Sequence, residues 1–99
     1  WNFGPNLEKK VTVLKLIRSV FKYLGINKKI TVKKNKQIKE TLILRLNCLK
    51  AKKKLNWKRT WSTSLSIKKT AEWYKTYLEQ NKILQFSNKQ INDYFKGGI

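Results

Sequence analysis

The residues that could carry out acid–base, nucleophilic or metal chemistry are few in this chain. It has no histidine, a single cysteine and five carboxylates: Glu8, Glu40, Glu72, Glu79 and Asp93. The carboxylates do not form a spaced catalytic pair, and a metal site would have to rest on Cys48 and those acids alone. No glycine-rich phosphate loop lies between a strand and a helix pattern. We therefore predict no catalytic residue, no metal site and no cofactor site within residues 1–99.

Glu40 is the carboxylate with the strongest case for a binding role. It lies in a basic loop just before the predicted strand Leu42 to Leu46, where it can pair with Lys39 or accept hydrogen bonds from a ligand. Glu40 could equally well be present only to reduce the repulsion among the neighbouring lysines. The other four acids lie in predicted helices or turns, where a solvated surface position is the default. Cys48 follows the strand and is predicted to be a half-buried core residue rather than a nucleophile.

The formal charge of +19 makes nucleic-acid binding one interpretation of the chain. Of its 24 basic residues, however, only Arg18, Arg45 and Arg59 are arginine, and recognition of base edges by paired hydrogen bonds favours arginine. Lysine, asparagine and isoleucine are all abundant, as codon drift in an AT-rich genome would produce. We favour that explanation of the charge and expect no nucleic-acid partner.

The apolar spacing predicts mainly helices. A first helix is expected between a capping Thr12 and Gly25, with apolar residues three and four apart along one face. Its other face is basic, which would also suit a membrane surface, but a core-facing helix is favoured. Three more helices are predicted: one capped by Asn47 and ended by a left-handed Asn56, one from a capping Ser62 to about Gln80, and one beginning at the capping-box residues Ser87 to Gln90.

Two or three short strands are predicted beside the helices. Ile30 and Val32 alternate with polar residues, Leu42 to Leu46 is a stronger pattern, and Trp1 to Phe3 suits the end of a strand whose beginning is missing. The chain therefore looks like the later part of a longer α/β protein. No apolar run approaches the roughly 20 residues needed to cross a bilayer, and no signal peptide is recognisable, so a cytoplasmic location is expected. The long third helix is expected to bury Leu65, Ala71, Tyr74, Tyr77 and Leu78.

Five segments occur in an order that is characteristic of one enzyme family. They are Trp1-Asn2-Phe3-Gly4-Pro5, Val11-Thr12-Val13, Leu44 to Ala51, Leu55 to Ser62 and Glu72-Trp73-Tyr74-Lys75. Together they resemble the carboxy-terminal part of CDP-glucose 4,6-dehydratases. The order of short helix, tryptophan, capping serine and long helix is shared broadly by extended short-chain dehydrogenase/reductases. The first and third segments and the stretch from Ser87 to Tyr94 are narrower and favour the CDP-glucose branch.

The resemblance implies an α/β parent enzyme with a Rossmann NAD domain, of which residues 1–99 would be the mostly helical sugar-nucleotide-binding lobe. Such enzymes use tightly held NAD to convert CDP-D-glucose into CDP-4-dehydro-6-deoxy-D-glucose and water, for the deoxysugars of bacterial O-antigen and lipopolysaccharide. The resemblance further implies a homodimer, with NAD and the catalytic groups held upstream, so that this segment alone is inactive. Its implied substrate contacts are Lys39, Glu40 and Arg45.

The chain departs from the family pattern at several positions. Asn47 stands where the family has an aspartate, Leu49 where it has a serine, and Lys39 where it has the histidine of a His-Glu-Ala run. Asn56 replaces a common glycine, which a left-handed backbone tolerates. Two alternatives stay open: an NAD-dependent epimerase or dehydratase acting on another nucleoside-diphosphate sugar, and an independent, small basic protein that binds nucleic acid.

Overall fold

The structure is a computed structural model that describes residues 1–5, 11–33, 46–79 and 82–97. Four α-helices occur within those ranges: α1 Val13–Leu24, α2 Leu49–Leu55, α3 Thr63–Leu78 and α4 Ile83–Phe95. None of these helices is long and apolar enough to cross a membrane.

The described residues contain no strand, although two or three short strands were predicted for an α/β fold. Ile30, Val32 and the segment from Trp1 to Phe3 belong to no helix or strand, so both strand predictions are wrong here. A strand needs a neighbour to pair its backbone N–H and C=O groups, and these segments have none among the described residues. Residues 42–45 of the remaining predicted strand lie outside the described ranges.

The chain divides into two compact units. The first unit comprises residues 1–4 and 28–58 and contains α2, and the second unit comprises residues 5–27 and 59–99 and contains α1, α3 and α4. In the second unit α3 packs against both α1 and α4. The prediction of one partial domain over residues 1–99 stays a prediction, and each unit is described by itself.

Both ends of α1 are as predicted. The Oγ1 atom of Thr12 accepts a hydrogen bond from the backbone N–H of Lys15 at 3.2 Å, which satisfies one of the free donors of the first turn. Gly25 has a φ of 70°, and its N–H donates to the carbonyl of Lys22. The N–H of Ile26 donates to the carbonyl of Phe21 at 2.9 Å. This pair of bonds is the Schellman motif that ends a helix at a left-handed glycine.

The start of α3 is confirmed and the start of α4 is not. Ser62 caps α3, since its Oγ accepts from the N–H of Leu65 at 3.2 Å, and the helix ends at Leu78, close to the predicted Gln80. However, α4 begins at Ile83, so Ser87 lies one turn inside the helix and is not its cap. The capping-box prediction for Ser87 to Gln90 is therefore wrong.

The buried positions of α3 differ from those predicted. Ala71 is buried and Leu65 partly so, but Tyr74, Tyr77 and Leu78 are all more than half exposed. The side of α3 that meets α4 carries Lys69 and Trp73, which are one helical turn apart. The tyrosines were placed on the wrong side because the apolar pattern of α3 is weak and does not single out one face.

In the first unit, the residues before α2 fold back against the amino-terminal segment. The Oδ1 atom of Asn47 accepts from the N–H of Leu49 at 3.0 Å, but the N-cap of α2 is Cys48, so the predicted cap at Asn47 is one residue too early. Asn56 ends the helix with a φ of 49°, as predicted. The buried centre consists of Cys48 and Ala51. Gly4 lies against it, since a Cβ on Gly4 would be 3.4 Å from the Cys48 Sγ.

Candidate functional site

The three substrate contacts implied by the family resemblance are not among the described residues. Lys39, Glu40 and Arg45 all fall in residues 34–45, which lie outside those ranges. Their contact with a nucleotide sugar stays a prediction.

Two of the chemically reactive side chains that the structure describes, Cys48 and Glu72, contact neighbours. Cys48 is buried, more completely than the half-burial predicted for it, and its Sγ lies 3.7 Å from the carbonyl oxygen of Leu46. Glu72 forms a 3.7 Å ion pair with Lys68 one turn earlier on α3. Within residues 1–5, 11–33, 46–79 and 82–97, no group of three or more histidine, cysteine or acidic side chains could hold a metal ion.

A cleft lies between α3 and α4 in the second unit. Its volume is about 320 Å³, which lies at the lower end of the range for small-molecule sites. We call it the aromatic cleft; it is lined by Trp61, Trp73, Ser87, Gln90, Ile91, Tyr94 and Phe95.

Hydrogen bonds between α3 and α4 hold the walls of the aromatic cleft. The Nε1–H of Trp73 donates to the Oγ of Ser87 at 2.9 Å. The Nε2 of Gln90 donates to the backbone carbonyl of Lys69 at 2.8 Å. The serine and glutamine that look like a capping box in the sequence are therefore three residues apart on the helical face that meets α3. This is the physical reason why the predicted start of α4 is wrong.

Trp61, just before α3, contributes the edge of the aromatic cleft. Its ring packs edge to face against Tyr94, with ring centroids 5.0 Å apart, which is a favoured geometry for aromatic pairs. Its Nε1–H is buried and has no hydrogen-bond partner among the described residues. A buried N–H without a partner destabilises the fold, so a bound acceptor atom would offset that cost.

A compact charge cluster lies beside Trp61. The Oδ2 atom of Asp93 is 3.4 Å from the Nζ of Lys69 and 3.3 Å from the Nζ of Lys89, and the Lys69 Nζ lies 5.6 Å from the Trp61 ring centroid. Desolvation raises the pKa of Asp93, but the hydrogen bonds and charges of Lys89 and Lys69 outweigh it and hold the pKa below its ordinary value. The Asp93 side chain is 18% exposed and pairs with two lysines, so it is less solvated than predicted.

The chemistry of the aromatic cleft suits binding and not proton transfer. Its lining contains no carboxylate, thiol or amine, and its serine oxygen already accepts from an indole N–H. A planar apolar group can lie against the rings, whereas a dinucleotide such as NAD needs groups that hold its diphosphate. The residues that line the aromatic cleft thus do not fit NAD. The sequence signal for the cleft was the spacing of Ser87, Gln90, Ile91 and Tyr94 along one helical face, which was interpreted instead as a helix start.

Fold and site together define a small helical region with an aromatic cleft, without a catalytic constellation among the described residues. No protein-family model matches the chain, and no solved structure matches it. The chain is similar to the CDP-glucose 4,6-dehydratase of Salmonella typhimurium (strain LT2), with 27% identity over 94 residues. Those residues are 95% of this chain and 26% of that enzyme, so the chain spans about a quarter of the length of the curated relative it matches. The similarity suggests the same family that the sequence motifs resemble.

Proposed function

We propose that the chain is the carboxy-terminal part of an NAD-dependent sugar-nucleotide 4,6-dehydratase that converts CDP-D-glucose into CDP-4-dehydro-6-deoxy-D-glucose and water. The observation that carries this proposal is the similarity to one such enzyme over 95% of the chain. The ordered motifs quoted above support the same choice. The parent enzyme would be a cytoplasmic homodimer, and its product would supply deoxysugars for surface polysaccharide.

In this proposal the segment binds substrate and packs against the rest of the parent, which holds NAD and the proton-transfer groups. Large apolar side chains on α3 and α4 are left open to solvent: Leu78, Leu84 and Phe95 are 71%, 72% and 82% exposed. Exposed apolar surface of this kind is typical of a face that another layer covers. Lys39, Glu40 and Arg45 would contact the nucleotide sugar.

The test is turnover by the longer protein that contains this chain. We expect NAD-dependent formation of the 4-keto-6-deoxy product from CDP-glucose by the longer protein, and no turnover by the 99-residue chain alone. In the longer protein, Glu40→Gln should raise KM for CDP-glucose by about ten-fold, the cost of one charged hydrogen bond. Glu79→Gln, at an exposed position after α3, is the matched control and should leave KM unchanged. A longer protein without a glycine-rich NAD loop and a Tyr-x-x-x-Lys pair would refute the proposal.

Another nucleoside-diphosphate sugar is the second candidate substrate, because part of the motif order is common to extended short-chain dehydrogenase/reductases. Isothermal titration of the longer protein with CDP-, dTDP-, UDP- and GDP-glucose separates the candidates. We expect the tightest binding for CDP-glucose. Tighter binding of one of the other three would reassign the substrate to that nucleotide and leave the superfamily unchanged.

A further inference from the structure

The described part of the first unit is strongly basic. It contains no carboxylate, and its lysines are Lys28, Lys29, Lys33, Lys50, Lys52, Lys53, Lys54 and Lys58. Lys50, Lys53 and Lys54 are all exposed and are three and four residues apart, so they share one face of α2 and repel one another. The helix dipole favours cations in the last turn but opposes Lys50 in the first. Helix stability therefore does not explain Lys50.

Two exposed aromatic rings belong to the same unit, and one of them, Trp1, lies beside Lys50. Trp1 is 61% exposed, and the Nζ of Lys50 lies 4.8 Å from the centroid of its ring. Phe3 is 50% exposed and packs edge to face on Trp57 with centroids 5.4 Å apart. The unit thus has ring surface that could stack on another flat group. It also has, next to that surface, ammonium groups that could contact anions.

We propose that Trp1, Phe3, Lys50, Lys53 and Lys54 form a binding surface for single-stranded nucleic acid, which we call the Trp1 surface. Such sites combine a basic track for the phosphates with rings on which bases stack. This proposal goes beyond the dehydratase proposal and does not depend on it. It also reverses the expectation, drawn from composition, that the chain has no nucleic-acid partner. Codon drift accounts for the number of lysines, but it does not account for the position of Lys50 in the first turn of α2, over the exposed indole of Trp1.

The side chains of the Trp1 surface favour a single strand over a duplex or a membrane. Lysine contacts phosphate as a point charge and reads no base, so the scarcity of arginine argues against sequence-specific readout only. A duplex hides its base faces, which would leave Trp1 and Phe3 without stacking partners. Membrane-surface helices need a wide apolar face opposite the basic one. The helix α2 has only seven residues, and its exposed apolar residues, Leu49 and Leu55, are at its two ends and do not form such a face.

The stacking part is tested with the 99-residue chain and a fluorescein-labelled dT12 oligonucleotide, by fluorescence anisotropy at 50 and 200 mM KCl. Trp1→Leu keeps the charge but removes the ring, so affinity should fall at least about five-fold, the lower end of the loss for one stacked base. Tyr74→Leu is the matched control, since Tyr74 is an aromatic residue of the second unit that is 53% exposed. It should leave the affinity unchanged. No binding at 50 mM KCl, or equal effects of the two variants, would overturn the proposal.

The charge part is tested by two triple variants that each remove three exposed lysines. K50Q/K53Q/K54Q should make the slope of log affinity against log salt shallower by about 2, because each phosphate contact in a single strand contributes about 0.7. K15Q/K22Q/K75Q, in α1 and α3, removes the same charge and should change the slope by much less. Equal changes would show that overall charge alone holds the oligonucleotide and would refute a localised surface.

Photocrosslinking of the unmodified chain avoids any effect of substitution on folding. A dT12 oligonucleotide containing bromodeoxyuridine should crosslink to residues 1–4 and 50–58, as mapped by mass spectrometry. Crosslinks confined to residues 59–97 would overturn the proposal. Binding to vesicles of anionic lipid in the absence of oligonucleotide binding would also overturn it and would reassign the surface to membranes.

Discussion

Individual side chains between α3 and α4 do more to fix this helix pair than the apolar content of either helix. The indole N–H of Trp73 and the amide of Gln90 each reach a specific acceptor across the interface. Asp93 on α4 holds the ammonium group of Lys69 on α3. Because polar bonds need defined distances and angles, they select one register of the two helices where apolar contact alone would allow several.

Replacing Ser87 with alanine should destabilise the helix pair, because it leaves the Trp73 N–H without its acceptor. We expect a loss of about 1 kcal/mol in the free energy of unfolding, partly offset by the better helix propensity of alanine. Urea denaturation followed by circular dichroism measures it. Asn88→Ala, at the exposed neighbouring position on α4, is the control and should change stability by less than about 0.5 kcal/mol. Equal effects would show that the bond contributes nothing.

Asp93 should make the second unit sensitive to acid. Its pKa is lowered in the folded state, where hydrogen bonds and charges from Lys89 and Lys69 outweigh desolvation. The folded state therefore binds fewer protons than the unfolded state, whose aspartates have a pKa of about 3.9. The stabilisation is complete above that value and is lost as the pH falls through the lower folded pKa.

An Asp93→Asn variant should accordingly be less stable than the parent chain at pH 7. The difference in denaturation midpoint should shrink between about pH 5 and pH 2.5, where the wild-type carboxylate becomes protonated. Glu79→Gln, at an exposed position, is the control and should keep the full pH dependence of the parent. A difference that stays constant down to pH 2.5 would show that the ion pairs do not stabilise the fold.

At the scale of helices, features that depend on neighbouring residues could be predicted from the sequence. Features that depend on contacts between distant parts of the chain could not. The caps at Thr12 and Ser62 and the left-handed residues Gly25 and Asn56 were predicted correctly, since each depends on a few neighbouring residues. Ser87 was wrongly predicted to begin α4. A serine and a glutamine three residues apart occur both at the start of a helix and on a helical face that packs against another helix, so the spacing does not distinguish the two. The strand at Ile30 and Val32 was wrong because strands depend on partners elsewhere in the chain. The aromatic cleft was missed for the same reason: its walls come from two helices.

The end of α1 provides a test of a purely local prediction. Gly25 has a φ of 70°, and an added Cβ would meet nothing within 4 Å, so alanine would cost conformational free energy only. Gly25→Ala should lower the free energy of unfolding by about 1 kcal/mol. Gly25→Asn should lower the free energy of unfolding by about half as much or less, because asparagine adopts the left-handed conformation more readily than alanine does. Equal losses for the two variants in urea denaturation would contradict this account of the helix end.

The chain carries a large positive charge, and the part of it that the structure describes buries little apolar surface. The described residues that are buried are Cys48, Ala51 and Ala71, all small, while large apolar side chains on α3 and α4 stay open. Among the described residues, ion pairs engage only two of the carboxylates, Glu72 and Asp93. In a longer protein, another layer could cover the exposed apolar side chains of α3 and α4 and so bury more apolar surface. This is consistent with the dehydratase proposal.

Because the formal charge is +19, repulsion among lysines should limit the stability of the isolated chain at low salt. Raising KCl from 50 to 500 mM shortens the screening length to about 4 Å, so the melting temperature should rise by several degrees. The K15Q/K22Q/K75Q variant carries three fewer positive charges. It should melt higher than the parent at 50 mM and gain less from salt, as measured by circular dichroism. A melting temperature that fell with added salt would mean that screening of the Asp93 and Glu72 ion pairs outweighs relief of repulsion. In that event the specific pairs, and not the overall charge, would govern the stability of the chain.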